Sequence, residues 1–164
     1  MYNDDFVRPQ HNWNNMPSSH NGLESHPMPQ KDNGPWPYAL DIDAETKRNN
    51  NYRTTLWTGQ HLQLTLMSLK PGEDIGLEIH PNLDQFIRVE AGQGLVLMGD
   101  RPDNMYFRQP VRDGWAFIIP ANTYHNLVNT GRQPLKVYSI YAPPQHPPGT
   151  VHRTRADAMA AEER

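Results

Sequence analysis

Four side chains in two stretches of the sequence are of the types that ligate a metal ion. They are Glu78, His80 and Gln85 within GEDIGLEIHPNLDQFIRVEAG, and His125 within GWAFIIPANTYHNLVN. Residues two positions apart on an extended strand project from the same face, so Glu78 and His80 are expected to point the same way. The two stretches therefore predict a metal site built from two hairpin-like segments.

Two imidazoles, one carboxylate and one amide oxygen are donors suited to a single divalent ion of Fe, Mn, Ni, Co or Zn. The one carboxylate neutralises only part of the metal charge, so a water, a hydroxide or an anionic substrate would supply the rest. Four protein ligands leave two positions open on an octahedral ion. The chain has no cysteine, which excludes disulfides and thiolate ligands.

The elements that must position these residues are short strands separated by Gly, Pro, Asn and Asp. Strand-like runs are predicted at residues 52–58, 61–70, 76–80, 85–90, 95–98, 105–111, 115–119, 124–129 and 135–141. A short helical turn is compatible with residues 40–50. Strands at this density with hardly any helix predict an all-β sandwich or barrel, one per chain, since the first stretch has no internal duplicate.

The composition divides the chain into three parts. Residues 1–37 are rich in Asn, Pro, His and Met and are predicted to be a disordered polar tail. Residues 38–142 hold the barrel. Residues 143–164 begin with a Pro-rich segment and end in a short helix, with Thr154 as its capping residue and Asp157 three positions on.

Charge and hydropathy exclude several classes of partner. The 164 residues carry a formal charge of −3 without a long basic run, which argues against nucleic acid and anionic membranes. No apolar segment reaches the roughly 20 residues of a membrane span. The N-terminal residues lack a basic region followed by an apolar run, so we expect no signal peptide and a cytoplasmic protein.

The two stretches resemble the paired motifs of the cupin superfamily, and the resemblance covers about residues 50–142. The first family motif is G, five residues, H, one residue, H, three or four residues, E, six residues, G. Here the same spacing joins Gly72, Glu78, His80, Gln85 and Gly92. The second motif is G, five residues, P, two residues, H, three residues, N. Its counterparts are Gly114, Pro120, His125 and Asn129, with four residues between the proline and the histidine.

The resemblance implies a small single-domain β-barrel of the cupin 2 type, a jelly roll or double-stranded β-helix, with a variant Glu-His-Gln-His ligand set. Glu78 stands in place of the family's first histidine and Gln85 in place of its glutamate. Either acid and amide have exchanged places and the metal is kept, or the barrel binds a ligand without metal. The three motif glycines are expected in turns that need a positive φ, and Pro120 and Asn129 are expected to shape the His125 hairpin.

The resemblance also implies a mononuclear metalloenzyme acting on a small molecule, similar to a dioxygenase or to a sugar or sugar-phosphate isomerase. In an isomerase Glu78 would be the catalytic base. Arg88 and Arg108 are candidates to pair with a substrate anion, but the sequence favours outward-facing, solvated positions for both. The alternative is a non-catalytic ligand-binding or structural cupin that uses its tail to join a larger assembly. A homodimer is implied, with residues 52–58 and 62–70 as candidates for the contact.

Overall fold

The structure, a computed structural model, describes residues 31–164. These residues form nine strands and two helices. The helices are α1 (Ile42–Arg48) and α2 (Arg155–Glu162). The strands are β1 (Arg53–Thr58), β2 (Gln63–Leu69), β3 (Asp84–Ala91), β4 (Gln93–Gly99), β5 (Phe107–Arg112), β6 (Ala116–Ile119), β7 (Tyr124–Asn129), β8 (Leu135–Ala142) and β9 (Val151–His152).

The strands form two antiparallel sheets that face each other. One sheet has the order β6-β3-β8-β2-β1-β9 and the other the order β5-β4-β7. The main core lies between them and is built from apolar side chains of both sheets, among them Met67, Ile87, Val96, Leu127 and Val137. The all-β jelly-roll barrel predicted from the sequence is thereby confirmed. Neither helix of residues 31–164 is long and apolar enough to cross a membrane.

Strand β2 is buried on both faces. Met67 and Leu69 face the main core, whereas Leu64 and Leu66 form a second cluster, against which Leu40, Ile42, Trp57, Tyr138 and Ile140 pack. All seven residues of β2 and the first four of β1 are buried within one chain. Most apolar side chains of the runs 52–58 and 62–70 pack within the chain, whereas Leu62 is 40 % exposed; the dimer contact at these runs stays a prediction.

The turns and the C-terminal helix follow the sequence closely. Gly72, Gly92 and Gly114 have φ angles of 82°, 90° and 86°. Thr154 caps α2 by accepting from the backbone N–H of Asp157, whose side chain accepts in return from the backbone N–H of Thr154. These turns and this cap confirm the roles that the motif glycines and Thr154 were expected to have.

Two strand predictions need correction. Residues 76–80 were predicted as a strand, but they form only an isolated bridge at Glu78 and otherwise run as irregular chain. Gly76, with φ 88°, interrupts the extended conformation. In the Pro-rich segment, Val151–His152 forms an unforeseen strand at the sheet edge, where it pairs with Arg53 and Thr54 of β1. An edge strand tolerates neighbouring prolines because one side of it needs no partner.

The described chain begins with a short segment that is fixed to the barrel. Within the predicted tail, residues 1–30 lie outside the described part of the chain. Asp32 accepts hydrogen bonds from the backbone N–H groups of Gly34, Thr58 and Gly149 and from the Thr58 hydroxyl. Asn33 is bonded to the carbonyl of Leu56. The docked segment therefore starts before residue 37, because one carboxylate satisfies donors from three parts of the chain.

Asp32→Ala should destabilise the fold, since it leaves these donors without their acceptor. We expect the free energy of unfolding at pH 7 to fall by about 1–3 kcal/mol in urea denaturation. Partial burial raises the pKa of the Asp32 carboxyl, but hydrogen bonds from Thr58, Gly34 and Gly149 outweigh it and the net pKa is lowered.

A carboxyl with a lowered folded-state pKa stabilises above its unfolded value, about 3.9, and loses that contribution as the pH falls through the folded value. The difference between wild type and Asp32→Ala should therefore narrow below about pH 3.9. Equal stability of the two proteins at pH 7 would show that the segment is not fixed to the barrel.

Candidate metal site

The main chain brings the two predicted ligand segments side by side. The backbone N–H of Glu78 donates to the carbonyl of His125 at 3.0 Å, and the N–H of His125 donates to the carbonyl of Glu78 at 2.9 Å. Residues paired in this antiparallel manner carry their side chains on the same face. Glu78 and His125 therefore enter the barrel together, and His80 follows from the same segment.

Three of the four predicted ligands meet at one point. The Glu78 Oε2 atom lies 3.3 Å from His80 Nε2 and 3.7 Å from His125 Nε2. One ligand atom from each residue lies within 4.8 Å of the other two. Metal–ligand distances of about 2.0–2.2 Å would separate donor atoms by roughly 3–4 Å around one ion. The observed separations fit a single ion.

A hydrogen bond from its ring orients His125. Its Nδ1 atom lies 2.9 Å from the carbonyl oxygen of Thr123. A carbonyl only accepts, so Nδ1 donates and Nε2 is the ring nitrogen that faces Glu78. The Nε2 atoms of His80 and His125 are buried and have no hydrogen-bond partner among residues 31–164. A cation between these two nitrogens and the carboxylate would satisfy all three groups, so these residues fit a metal ion.

Glu78 is held in its charged form. Burial opposes its ionisation, but the contacts with His125 and His80 and the charge of Arg53 lower its pKa to about 2. It is therefore a carboxylate at neutral pH, which is the form that binds a metal. The role of catalytic base for Glu78 stays a prediction.

Gln85 lies in the same interior, on β3. It is 3 % exposed and pairs across the sheet with Tyr141 of β8. Its Nε2 donates to the Ser139 hydroxyl at 3.3 Å, whereas its Oε1 is buried and has no hydrogen-bond partner within residues 31–164. An unpaired amide oxygen inside the barrel is the donor a fourth ligand would use, and that role stays a prediction.

The arginine inside the barrel is one that the sequence did not single out. Arg53 on β1 is 1 % exposed, and its Nη2 lies 3.6 Å from Glu78 Oε1. The two arginines predicted to meet a substrate anion lie elsewhere: Arg88 is paired with Glu90 at 2.8 Å, and Arg108 is exposed on β5. Their strand faces point outward, which agrees with the solvated reading that the sequence favoured for both.

Two further rings extend the site from His80. The ring of Tyr141 lies 5.9 Å from that of His80, and the ring of His146 lies 5.2 Å from that of Tyr141. Burial raises the pKa of the Tyr141 hydroxyl to about 12, so it keeps its proton. Burial and the charge of Arg53 lower the pKa of His146 to about 3, so its ring is neutral at pH 7.

Gln63 fixes the loop that carries His146. Its Nε2 donates to the carbonyl of His146 at 2.8 Å, and its Oε1 accepts from the backbone N–H groups of Gln145 and His146 at 3.1 and 2.9 Å. In the sequence Gln63 alternates with Thr65 and Met67, so it shares their strand face. That alternation was the available signal. The opposite face of the strand carries leucines and is more apolar, so the sequence did not show that Gln63 is buried.

This fold and donor cluster define the class of protein: the chain belongs to the cupin family. The profile of the family described as a cupin domain matches residues 65–141. The chain is 60% identical over 133 residues to the uncharacterized protein YrkC of Bacillus subtilis, across 81% of this chain and 72% of YrkC. It is 43% identical over 115 residues to an uncharacterized protein of Acanthamoeba polyphaga mimivirus, across 70% of each chain.

A solved structure is also closely similar. The crystal structure of BH2720 from Bacillus halodurans is 64% identical in sequence and superposes with a TM-score of 0.79. The superposition covers 79% of this chain and 98% of that one. The likeness extends over nearly the whole of the solved chain, so both share the complete barrel.

Gln63→Leu should loosen the loop at residues 143–150, because three backbone groups lose their buried partner. We expect the free energy of unfolding to fall by about 2–4 kcal/mol. Each unsatisfied group costs about 1–3 kcal/mol, and water that enters the loop would satisfy some of them. Hydrogen exchange should rise in the same loop. Gln60→Leu, at an exposed position of the preceding turn, is the matched control, and unchanged protection of the loop would contradict the role of Gln63.

Proposed function

We propose that this cupin binds one divalent metal ion through Glu78, His80 and His125, with Gln85 as a fourth ligand. The observation that supports this most strongly is a set of buried ligand atoms that have no hydrogen-bond partner among the described residues. Two buried Nε2 atoms face one carboxylate oxygen, and ligand atoms of the three residues lie within 4.8 Å of one another. Burying polar atoms without partners costs about 1–3 kcal/mol each, so a bound ion would remove a substantial penalty.

The donor set narrows the choice of ion. Imidazole nitrogen and carboxylate oxygen suit Fe, Mn, Ni, Co and Zn, and the chain lacks the thiolates that soft ions prefer. Glu78 acts in this proposal as a ligand, because its lowered pKa leaves it a carboxylate at neutral pH. When bound, the metal supplies Lewis acidity towards an oxygen of the substrate.

We propose further that the protein is an enzyme acting on a small molecule, of the oxygenase or isomerase kind. Glu78 is 15 % exposed at its side chain and His80 is 9 % exposed, so the cluster reaches solvent on that side. The protonated Tyr141 hydroxyl and the neutral His146 ring are placed to donate or accept hydrogen bonds inside the barrel. Oxygen consumption with the metal-loaded protein would identify an oxygenase, whereas stoichiometric metal without turnover across a substrate screen would favour a binding module.

The homodimer and the cytoplasmic location stay predictions.

Metal analysis of untagged protein should find about one divalent ion per chain. His80→Ala and His125→Ala should each lose it, because each removes one nitrogen donor, and chelation should lower the melting temperature of the wild type alone. At a free metal concentration of 100 Kd the ion contributes about 2.7 kcal/mol to stability. His61→Ala removes an exposed histidine of the β1–β2 turn and should keep the metal. Metal retained by both site variants would refute the site.

The fourth ligand can be tested separately at Gln85. Outer-shell partners alone contribute about 10–100-fold to metal affinity, so removing a ligand with Gln85→Leu should weaken binding by at least about tenfold. Gln85→Glu should strengthen it, because it adds a second carboxylate. Metal affinity unchanged in both variants would leave Glu78, His80 and His125 as the complete protein ligand set.

A further inference from the structure

Arg53 is a buried cation whose hydrogen-bonding capacity is largely unused. Its guanidinium offers five N–H donors, yet it has only two polar contacts among the described residues. Nη1 lies 3.4 Å from His152 Nδ1, and Nη2 lies 3.6 Å from Glu78 Oε1. Both separations exceed the 2.7–3.2 Å typical of N–H···O bonds, and Nε has no partner within residues 31–164. The group is therefore desolvated without being fully satisfied by the protein.

The charges around Arg53 do not balance once a metal ion is present. Arg53 contributes one positive charge and Glu78 one negative charge, and these two cancel. Tyr141 and His146 are neutral at pH 7. A divalent ion would then leave two positive charges in a buried site. Uncompensated charge of this kind is strongly unfavourable inside a protein, so the site calls for negative charge from outside the chain.

Glu78 links the proposed metal site to Arg53. Its Oε2 faces the two histidines and its Oε1 faces Arg53. One carboxylate therefore lies between the metal cluster and the guanidinium. An anion bound beside it would meet the metal and the guanidinium together.

We propose that the site takes a small carboxylate ligand, held by the guanidinium of Arg53 beside the metal bound at Glu78, His80 and His125. The planar fork of a guanidinium matches the two oxygens of a carboxylate. A single arginine provides one such fork, which favours one carboxylate over a phosphate with three oxygens to satisfy. This inference rests on the proposed metal site, and it narrows the substrate class to organic acids.

The test uses the full chain loaded with Co(II), whose visible spectrum reports changes in coordination. Metal content is measured first, and lactate and lactamide are then titrated by calorimetry and absorbance. These two probes have the same skeleton and differ in charge. Lactate should bind at least about tenfold more tightly than lactamide, because it alone pairs with Arg53. Inorganic phosphate is the third probe.

Arg53→Met should lower lactate affinity by about tenfold or more while leaving lactamide unchanged. Arg155→Met is the matched control, since Arg155 pairs with Asp74 at 2.7 Å, and it should bind lactate as the wild type does. Arg53→Lys keeps the charge but loses the fork, so its lactate affinity should fall between those of the wild type and Arg53→Met. If Arg53→Met fails to fold, Arg53→Lys and the wild-type comparison of lactate with lactamide provide the test.

The outcomes separate this inference from the metal site. Protein that carries Co(II) but binds lactate no better than lactamide overturns the carboxylate ligand alone. The carboxylate ligand is likewise overturned if Arg53→Met binds lactate as the wild type does, or if phosphate binds more tightly than lactate. Protein that binds no Co(II) overturns the metal site and this inference together.

Discussion

The pair of backbone hydrogen bonds between Glu78 and His125 is the constraint on which the site depends. It joins an irregular segment to the β7 strand and sets both side chains on one face. Without it, three donors from two distant parts of the sequence would have no common point. A second bridge, between Asp74 and Val128, joins the same segment to β7, and β7 is itself fixed in the three-stranded sheet through β4. The ordinary ladder of the barrel thus supplies the rigidity that an ion-binding cluster requires.

The barrel interior is divided between an apolar region and a polar one. Met67 and Val137 belong to the main core, whereas the neighbouring positions towards the site carry Thr65, Ser139 and Gln85. Polar side chains are costly in such a place unless they are paired. Several of them remain unpaired among the described residues, including Thr65 Oγ1, Gln85 Oε1 and Arg53 Nε. These unpaired polar groups lower the stability of the fold on one side of its interior, which is common at binding sites.

The sequence predicted the frame of the site better than its surroundings. Glu78, His80 and His125 could be found because glycines, a proline and an asparagine at fixed spacing mark the turns around them. Arg53 could not be found in this way. Which side chains of β1 point into the barrel depends on the pairing of β1 with β2 and β9, and β9 lies far along the chain. Arg88 and Arg108 were considered as candidates, with outward-facing positions favoured, since the charged residues of a strand cannot be told apart until its inward face is known. Residues 76–80 resemble a strand in sequence because their side chains alternate, although Glu78 is the one residue of this segment that forms a bridge among the described residues.

Asp32, Thr58, Gln63 and the His146 loop form one connected chain of hydrogen bonds. The Thr58 hydroxyl donates to Asp32 and accepts from Gln63, which in turn holds the backbone of His146. Groups that share partners in this way are energetically coupled, so substitutions at two of them should not have additive effects on stability. The effect of a replacement at one of these positions therefore depends on which residues occupy the others. The start of the described chain and a ring beside the metal cluster would be constrained to vary together during evolution.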